Sequence, residues 1–164
     1  MNQKEILELL DHEGIQYTYF EHPAVYTMEE MRLLNLPDSE CVAVNLFLRD
    51  DKKRNYYLVT MSGRHKTDLK SMRHILGTRP LSFASENDLR KILGIEKGNV
   101  TPLAAVNDTD SRCETIIDIR FHNRKIGIHP MVNTAMVFMN GTDLFNLLQR
   151  AGHNVRWAAF EQIM

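Results

Sequence analysis

One asparagine stands inside an otherwise apolar segment, and its amide group needs either a partner or a ligand. The segment "VAVNLFLRDDKKRNYYLVTM", residues 42–61, has two apolar runs around a charged connection, which is typical of a β-hairpin. Because side chains alternate along a strand, Asn45 projects to one face, whereas Val44 projects to the other with Leu46 and Leu48. We consider two roles for Asn45, a contact with a ligand and a satisfied amide in the core.

The most basic window of the chain, residues 64–79, predicts a helix with one positively charged face. Lys66, Lys70 and Arg73 follow i, i+4 and i+7 spacing, and Arg79 lies just beyond them. Such a stripe can hold a phosphate backbone, and the alternative is a solvated face paired with nearby acidic side chains. The formal net charge of −1 gives no support to a nucleic-acid partner for the protein as a whole.

Patterns typical of metal sites and nucleophilic catalysis are absent from the sequence. The seven histidines are scattered without HExxH or another paired spacing, so we expect no metal ion. Cys41 and Cys113 belong to no CxxC pair, which is typical of reduced thiols in the cytoplasm. Ser62 lacks the G-x-S-x-G elbow of a hydrolase, and no glycine-rich phosphate loop occurs.

Length and composition favour one globular domain over residues 1–164. The hydrophobic fraction of 43% is enough for a sizeable core, and the charged fraction of 25% is ordinary for a globular protein. The amphipathic N-terminus lacks the apolar core of a signal peptide, and no run approaches the roughly 18 apolar residues of a membrane span. We therefore expect a cytoplasmic protein without a membrane partner.

The predicted elements place these residues in a mixed fold. Their order is helix, strand, helix, β-hairpin, two helices, several strands, helix and a final strand or extended tail. Residues 98–106 are predicted to run from a loop into a strand, and Thr142 is predicted to cap the last helix. Helices and strands do not alternate one by one, so an α+β domain around a largely antiparallel sheet fits better than a doubly wound sheet.

Four segments occur in the order typical of a known family. They are "VNLFLRDDKKRNYYLVTM", "HKTDLKSMRHILG", "RPLSFASENDLRKILGIEKGNVTPLA" and "GIHPMVNTAMV". Together they resemble the YbaK/prolyl-tRNA-synthetase-associated domain family, specifically its free-standing PrdX-like branch. The resemblance extends over roughly residues 20–140.

The resemblance implies a fold and an activity. The expected fold is a mixed, largely antiparallel sheet curved into a barrel-like core, with helices packed outside. The expected activity is trans-editing, the hydrolysis of the ester that joins an amino acid to the wrong tRNA, with Ala-tRNA(Pro) as the substrate associated with this branch. The acceptor end of tRNA and prolyl-tRNA synthetase are the implied partners, and no cofactor is expected. Lys66, Lys70, Arg73 and Arg79 then become expected tRNA contacts.

The resemblance also assigns site residues. Asn45 matches the family asparagine in its Lys-Asn-Leu-Phe-Leu strand, and it is expected to hold the substrate. Gly98 and Pro102 match a Gly-x-x-x-Pro loop that lines the amino-acid pocket. Gly127 and His129 match a Gly-x-His-Pro segment beside the terminal ribose, where an imidazole can position water. Asn45 and His129 are therefore the expected catalytic residues.

Val44 departs from the family pattern, which has a lysine at this position. The expected pocket therefore loses a cation that would bind substrate and stabilise developing charge, a loss that commonly costs about 10²–10³ in rate. Three hypotheses follow. The protein hydrolyses mischarged tRNA through His129, backbone donors and the ribose hydroxyl; it acts on a different aminoacyl group; or it is a catalytically weak or inactive module that binds tRNA or an aminoacyl ligand.

Overall fold

Eight strands form two sheets in the computed structural model, which describes residues 1–63 and 68–160. In chain order the strands are β1 Tyr17–Glu21, β2 Ala43–Asp50, β3 Tyr56–Ser62, β4 Leu81–Phe83, β5 Cys113–Asp118, β6 Lys125–Ile128, β7 Ala135–Asn140 and β8 Val155–Ala158. The first sheet has the order β1-β7-β6 and the second has the order β4-β2-β3-β5-β8. Only the β3–β5 and β5–β8 pairs are parallel, so the predicted α+β fold with a mixed, largely antiparallel sheet is confirmed.

Helices cover the two sheets from outside. They are α1 Gln3–His12, α2 Met28–Leu33, α3 Leu69–Leu76, α4 Glu86–Asp88, which continues as a π-helical turn Leu89–Leu93, and α5 Gly141–Arg150. The side chains of Thr27, Asp68 and Ser85 cap α2, α3 and α4 by accepting backbone N–H groups. Within the described ranges no helix combines the length and the apolar character needed to cross a bilayer.

The two sheets do not close into the barrel-like core that was expected. They meet at one isolated parallel bridge, between Val42 and Gly127. A residue at position 127 must therefore allow two backbones and the ring of Phe138 to approach closely. A Cβ atom added to Gly127 would lie 2.7 Å from Phe138 Cε1 and 3.2 Å from Val42 Cγ2.

Two local predictions are wrong, the strand within residues 98–106 and the helix cap at Thr142, and helix capping explains both. The segment after Thr101 is a 3₁₀ helix, Pro102–Asn107, because Pro102 occupies its first turn and the Thr101 hydroxyl accepts the N–H of Leu103. The cap of α5 is Asn140, whose side-chain oxygen accepts the N–H of Thr142.

Strand β2 separates two apolar clusters. Ala43 and Phe47 are buried in the larger cluster, which also includes side chains from α1 and α5. Val44 packs against the smaller cluster, which includes Leu48 and Met72 of α3. The alternation predicted for this strand is therefore confirmed, and Asn45 lies on the face of the larger cluster, between Ala43 and Phe47.

Replacement of Gly127 by alanine is expected to destabilise the joint between the sheets. The added methyl group must displace Phe138, and overpacking of this kind costs about 1–3 kcal/mol in the free energy of unfolding. Denaturant unfolding of Gly127→Ala measures the cost. The same substitution in a Phe138→Leu background is the control, since the smaller side chain leaves room for the methyl group. An equal cost in both backgrounds would contradict the steric explanation.

Candidate active site

A recess of about 480 Å³ lies where β2 is not covered by another strand. We call it the central recess. Its walls come from residues 25–27 with Met31, from residues 42–45, from the loop around Gly98 and from His129. These segments are distant in the sequence, and the recess has the size usual for a small-molecule site.

The open edge of β2 forms the floor of the central recess. Strand β4 pairs only with Leu48–Asp50, so on the edge away from β3 the first half of β2 has no strand beside it except at the bridge from Val42. The C=O of Phe47 accepts the N–H of Ala84 across this edge. Since backbone groups alternate along a strand, the N–H and C=O of Asn45 point to the same edge, where no strand takes them up. The recess therefore has a main-chain donor as well as side chains.

The side chain of Asn45 is oriented by the neighbouring strand. Thr60, its partner in the β2–β3 register, is fully buried, and the Thr60 hydroxyl donates a hydrogen bond of 2.8 Å to Asn45 Oδ1. Within residues 1–63 and 68–160, Asn45 Nδ2 has no hydrogen-bond partner. A fixed oxygen and an available NH₂ group make Asn45 a positioned donor at the recess wall.

His129 contributes an acceptor to the lining of the central recess. Its Nδ1–H donates a 3.0 Å hydrogen bond to the C=O of Ala135, which fixes the ring and assigns the proton to Nδ1. Burial lowers the pKa of His129 below its ordinary value of 6.5; the hydrogen bond to Ala135 opposes this shift, and positive charge on His22 reinforces it. His129 is therefore neutral at physiological pH, with Nε2 available to accept a proton from water.

A second histidine, His22, is buried beside His129, and no sequence pattern singles it out. The two ring centroids are 6.1 Å apart. His22 Nδ1–H donates to the C=O of Pro23, and within the described residues His22 Nε2 is buried without a hydrogen-bond partner. A positive charge on His22 disfavours the charged form of His129, which adds to the lowering of the His129 pKa by burial.

Gly98 has the conformation and the contacts that only glycine accommodates well. Its φ angle is +93°, and an added Cβ atom would lie 3.1 Å from Cε1 of Tyr26. The Tyr26 ring therefore lies directly over the Gly98 backbone. A hydrogen bond from Asn133 Nδ2 to the C=O of Val25 ties the same wall to the loop that follows His129.

The predicted substrate residues thus fall into two groups. Val44, Asn45, Gly98 and His129 line the central recess, as their assignment to one site requires. Pro102 is buried in the 3₁₀ helix Pro102–Asn107 and does not line it. Gly127 also lies outside the lining, and the structure gives it a packing role against Val42 and Phe138.

Val44 leaves this wall of the central recess apolar. The side chain is half-buried against the α3 side of the sheet and also lines the recess. Lys97 is the one cationic side chain among the described residues that line the recess, and it lies in the loop before Gly98. Its Nζ is 3.9 Å from Glu86 Oε1, and the side chain is 80% exposed, so it belongs to the mouth.

The predicted tRNA contacts are distributed over and beyond α3. Lys70 and Arg73 are exposed on α3, so positive charge does face solvent there. Arg79 is also exposed, but it makes a bidentate ion pair with Asp51, at 2.6 and 3.1 Å. Lys66 lies outside the described residues. The pairing of Arg79 matches the alternative of a solvated face balanced by acids, whereas Lys70 has no acidic partner in the described ranges.

Other features offer less for catalysis. A larger open groove, of about 1010 Å³, lies along β1 and β7, but it includes none of the predicted site residues. Burial raises the pKa of both Cys41 and Cys113, and neither thiol lines the central recess. Among the described residues, no group of three His, Cys, Asp or Glu side chains could hold a metal ion.

Sequence reasoning missed three side chains at the mouth of the central recess. They are Tyr26, Phe83 and Lys97. Tyr26 follows a proline-containing turn and Phe83 ends a three-residue strand, so no periodic pattern marks either one. Their exposure becomes visible only when the loops are placed around β2.

The arrangement suits the hydrolysis of an activated carbonyl compound. A neutral imidazole on one wall can orient water and accept its proton. The Asn45 side-chain NH₂ and the main-chain N–H of Asn45 on β2 can stabilise an oxyanion. These groups come from separate strands and loops that the fold holds in place, so the site is organised before substrate binds.

The chain matches known proteins over most of its length. The model of the aminoacyl-tRNA editing domain family matches residues 22–147. The prolyl-tRNA editing protein ProX of Acetoanaerobium sticklandii is 36% identical over 155 residues, which cover 94% of each chain. The prolyl-tRNA synthetase associated domain-containing protein 1 of Danio rerio is 34% identical over 154 residues, which cover 92% of this chain and 83% of that protein.

A solved structure described as a proposed trans-editing enzyme for prolyl-tRNA synthetase has the same fold. It superposes with a TM-score of 0.70 at 19% sequence identity, over 97% of each chain. The open edge of β2, the recess beside it and the match over residues 22–147 lead to one assignment. The chain belongs to the aminoacyl-tRNA editing domain family.

Proposed function

We propose that the protein is a trans-editing deacylase that hydrolyses mischarged aminoacyl-tRNA, with Ala-tRNA(Pro) as its expected substrate. One observation carries the proposal: Val44, Asn45, Gly98 and His129 line a single recess in a chain of the aminoacyl-tRNA editing family. The relative ProX, named for prolyl-tRNA editing, supports the choice of tRNA. Prolyl-tRNA synthetase, which makes the error, is the expected functional partner, and the cytoplasm is the expected location.

In this mechanism, His129 activates the attacking water. Nε2 accepts a proton as the water oxygen attacks the carbonyl carbon of the aminoacyl ester, and the bond to the ribose oxygen then breaks. The same proton is passed to the departing ribose oxygen, so no external acid is consumed. The neighbouring ribose hydroxyl lies close to the reacting carbonyl in any such ester, and it assists this transfer.

Asn45 stabilises the charge that develops on the carbonyl oxygen. The Thr60 hydroxyl holds Asn45 Oδ1, so the NH₂ group needs no reorganisation during the reaction. The main-chain N–H of Asn45, at the open edge of β2, is a second donor. Two donors on one rigid strand replace part of the stabilisation that a lysine at position 44 would supply.

A separate editing site is needed because a pocket built for proline excludes alanine poorly. Missing methylene groups change binding by only about 1–3 kcal/mol, which is too little for accurate aminoacylation. A second site that accepts the smaller amino acid and rejects the larger one removes the error after release. In this role the central recess provides a second selection by size, after that of the synthetase.

The apolar wall at Val44 favours a second candidate function, a module on the same fold that binds tRNA or an aminoacyl ligand without turnover. Val44 is half-buried and uncharged, and Lys97 at the mouth is the nearest cationic candidate among the lining residues. Binding without hydrolysis distinguishes this candidate from the deacylase.

Ala-tRNA(Pro) is expected to be deacylated faster than correctly charged Pro-tRNA(Pro) and faster than by spontaneous hydrolysis. A panel of mischarged tRNAs tests this expectation and reveals a different aminoacyl preference. Asn45→Ala is expected to lower kcat by about 10²–10³, since it removes an oxyanion donor. Asn154→Ala, at an exposed asparagine far from the lining, is the matched control. Background rates with every panel member would contradict the deacylase proposal.

Deacylation is expected to depend on the neutral form of His129. Because its pKa lies below 6.5, kcat corrected for spontaneous hydrolysis should stay constant near neutral pH and fall only as the pH drops through that lowered value. His129→Gln should lower kcat by about 10²–10⁴ and remove this acidic limb. His12→Gln, at an exposed histidine of α1, should retain the wild-type kcat and the acidic limb. An unchanged acidic limb in His129→Gln would assign it to another group.

Val44→Lys is expected to raise kcat, because it places a cation at the wall that now lacks one. The gain can reach about 10²–10³, the value of one fixed donor. Val44→Met is the matched control, since it lengthens the side chain without adding charge. A rise with lysine alone indicates that the hydrolytic groups are in place. If lysine and methionine have the same effect, charge at position 44 does not limit the reaction.

A further inference from the structure

We propose that Tyr26, Phe83 and Lys97 form a binding site for the unpaired nucleotides at the 3′ end of tRNA. We call these three residues the rim. The proposal rests on the proposed function, since it names where the strand that carries the ester would lie. It assigns the two aromatic side chains to base stacking and the lysine to a backbone phosphate.

The two aromatic rings are exposed beyond what the fold requires. Five large apolar side chains are strongly exposed in the described residues, and two of them, Tyr26 and Phe83, line the central recess. Their exposed fractions are 71% and 56%. An aromatic side chain left in water forgoes the stabilisation of burial, so two of them at one opening indicate a ligand that covers them.

The Tyr26 ring is held in place at its inner side only. It contacts the Gly98 backbone, so a Cβ atom at position 98 would lie 3.1 Å from Tyr26 Cε1. The Tyr26 N–H donates to Glu30 Oε2 at 3.1 Å, and the C=O of Val25 accepts from Asn133. The segment is therefore anchored while most of the ring remains available for stacking.

Phe83 is held by the sheet. It ends β4 opposite Leu48 of β2, and the N–H of the next residue, Ala84, donates to the C=O of Phe47 at 2.9 Å. The strand therefore stops where the open edge of β2 begins. A ring at this position borders the recess without filling it, and its backbone has little freedom to withdraw.

Lys97 gives the rim its charge. Its ion pair with Glu86 is long, at 3.9 Å, and both side chains are largely exposed, so a phosphate can displace the carboxylate at small cost. Aromatic rings together with a cation are the combination that binds single-stranded nucleic acid with little sequence preference. The recess behind the rim is then left for the terminal ribose and its amino acid.

The rim is tested by three substitutions, Tyr26→Leu, Phe83→Leu and Lys97→Gln. Each is measured by equilibrium binding of a short single-stranded RNA with the tRNA acceptor-end sequence, and by steady-state deacylation of mischarged tRNA. The aromatic variants should bind the RNA about 5- to 150-fold more weakly, and this loss should appear in KM with kcat unchanged. Lys97→Gln should reduce the slope of log affinity against log salt by about 0.7.

Matched controls come from exposed residues outside the recess. Leu33→Ala removes an exposed apolar side chain of α2, and Leu33 is 79% exposed. Lys4→Gln removes a lysine whose exposure, 84%, and ion-pair distance to Glu8, 3.9 Å, match those of Lys97. Both controls should bind RNA and deacylate tRNA like the wild type.

The outcomes separate the rim from the proposed function. If the wild type deacylates tRNA and the three variants match it in RNA binding and KM, the rim proposal is wrong. A fall in kcat with unchanged KM would assign these residues to the chemistry instead of to stacking, which also contradicts the proposal. If the wild type deacylates no tRNA, the proposed function fails, and the RNA-binding measurements alone decide whether the rim binds single-stranded RNA.

Discussion

The incomplete pairing of β2 is the constraint on which the rest of the site depends. One edge of β2 is fully paired with β3, but the other is covered only at its end by β4 and at one point by Gly127. A strand edge in the interior of a domain leaves polar backbone groups that need partners. Here the uncovered stretch forms the floor of the central recess, where substrate groups can supply those partners. Asn45 lies in this stretch, so its side chain and its main chain both border the central recess.

The proposed catalytic roles rest on fixed donors and acceptors more than on reactive side chains. His129 is a weak base kept neutral by burial. Asn45 is uncharged and acts through its side-chain NH₂ and its main-chain N–H. An activated ester needs little more than oriented water and oxyanion stabilisation. The apolar side chain at Val44 is compatible with such chemistry, although it leaves the pocket with fewer groups that favour the transition state. Editing by this protein would therefore depend strongly on exact positioning of the tRNA end.

Local patterns predicted much of the fold and part of the site. The alternation around Asn45 predicted the correct faces of β2. The family resemblance, confirmed by the match over residues 22–147, assigned Gly98 and His129 to one site, and both line the central recess. Helix capping overrode the strand expected in residues 98–106, because a threonine-proline pair starts a helical turn. Tyr26 and the contact between His22 and His129 were not predictable, since they depend on how separate loops meet.

The pairing of β1 with β7 has a consequence for how the protein acquires its active form. Tyr17 pairs with Met139, so β1 is completed by a strand that is synthesised after β2–β6. The parallel β3–β5 and β5–β8 pairs also join distant segments, and such long-range contacts slow folding because chain closure precedes their stabilisation. On the ribosome, the nascent chain cannot assemble the walls around His129 until β7, which pairs with β6, has emerged.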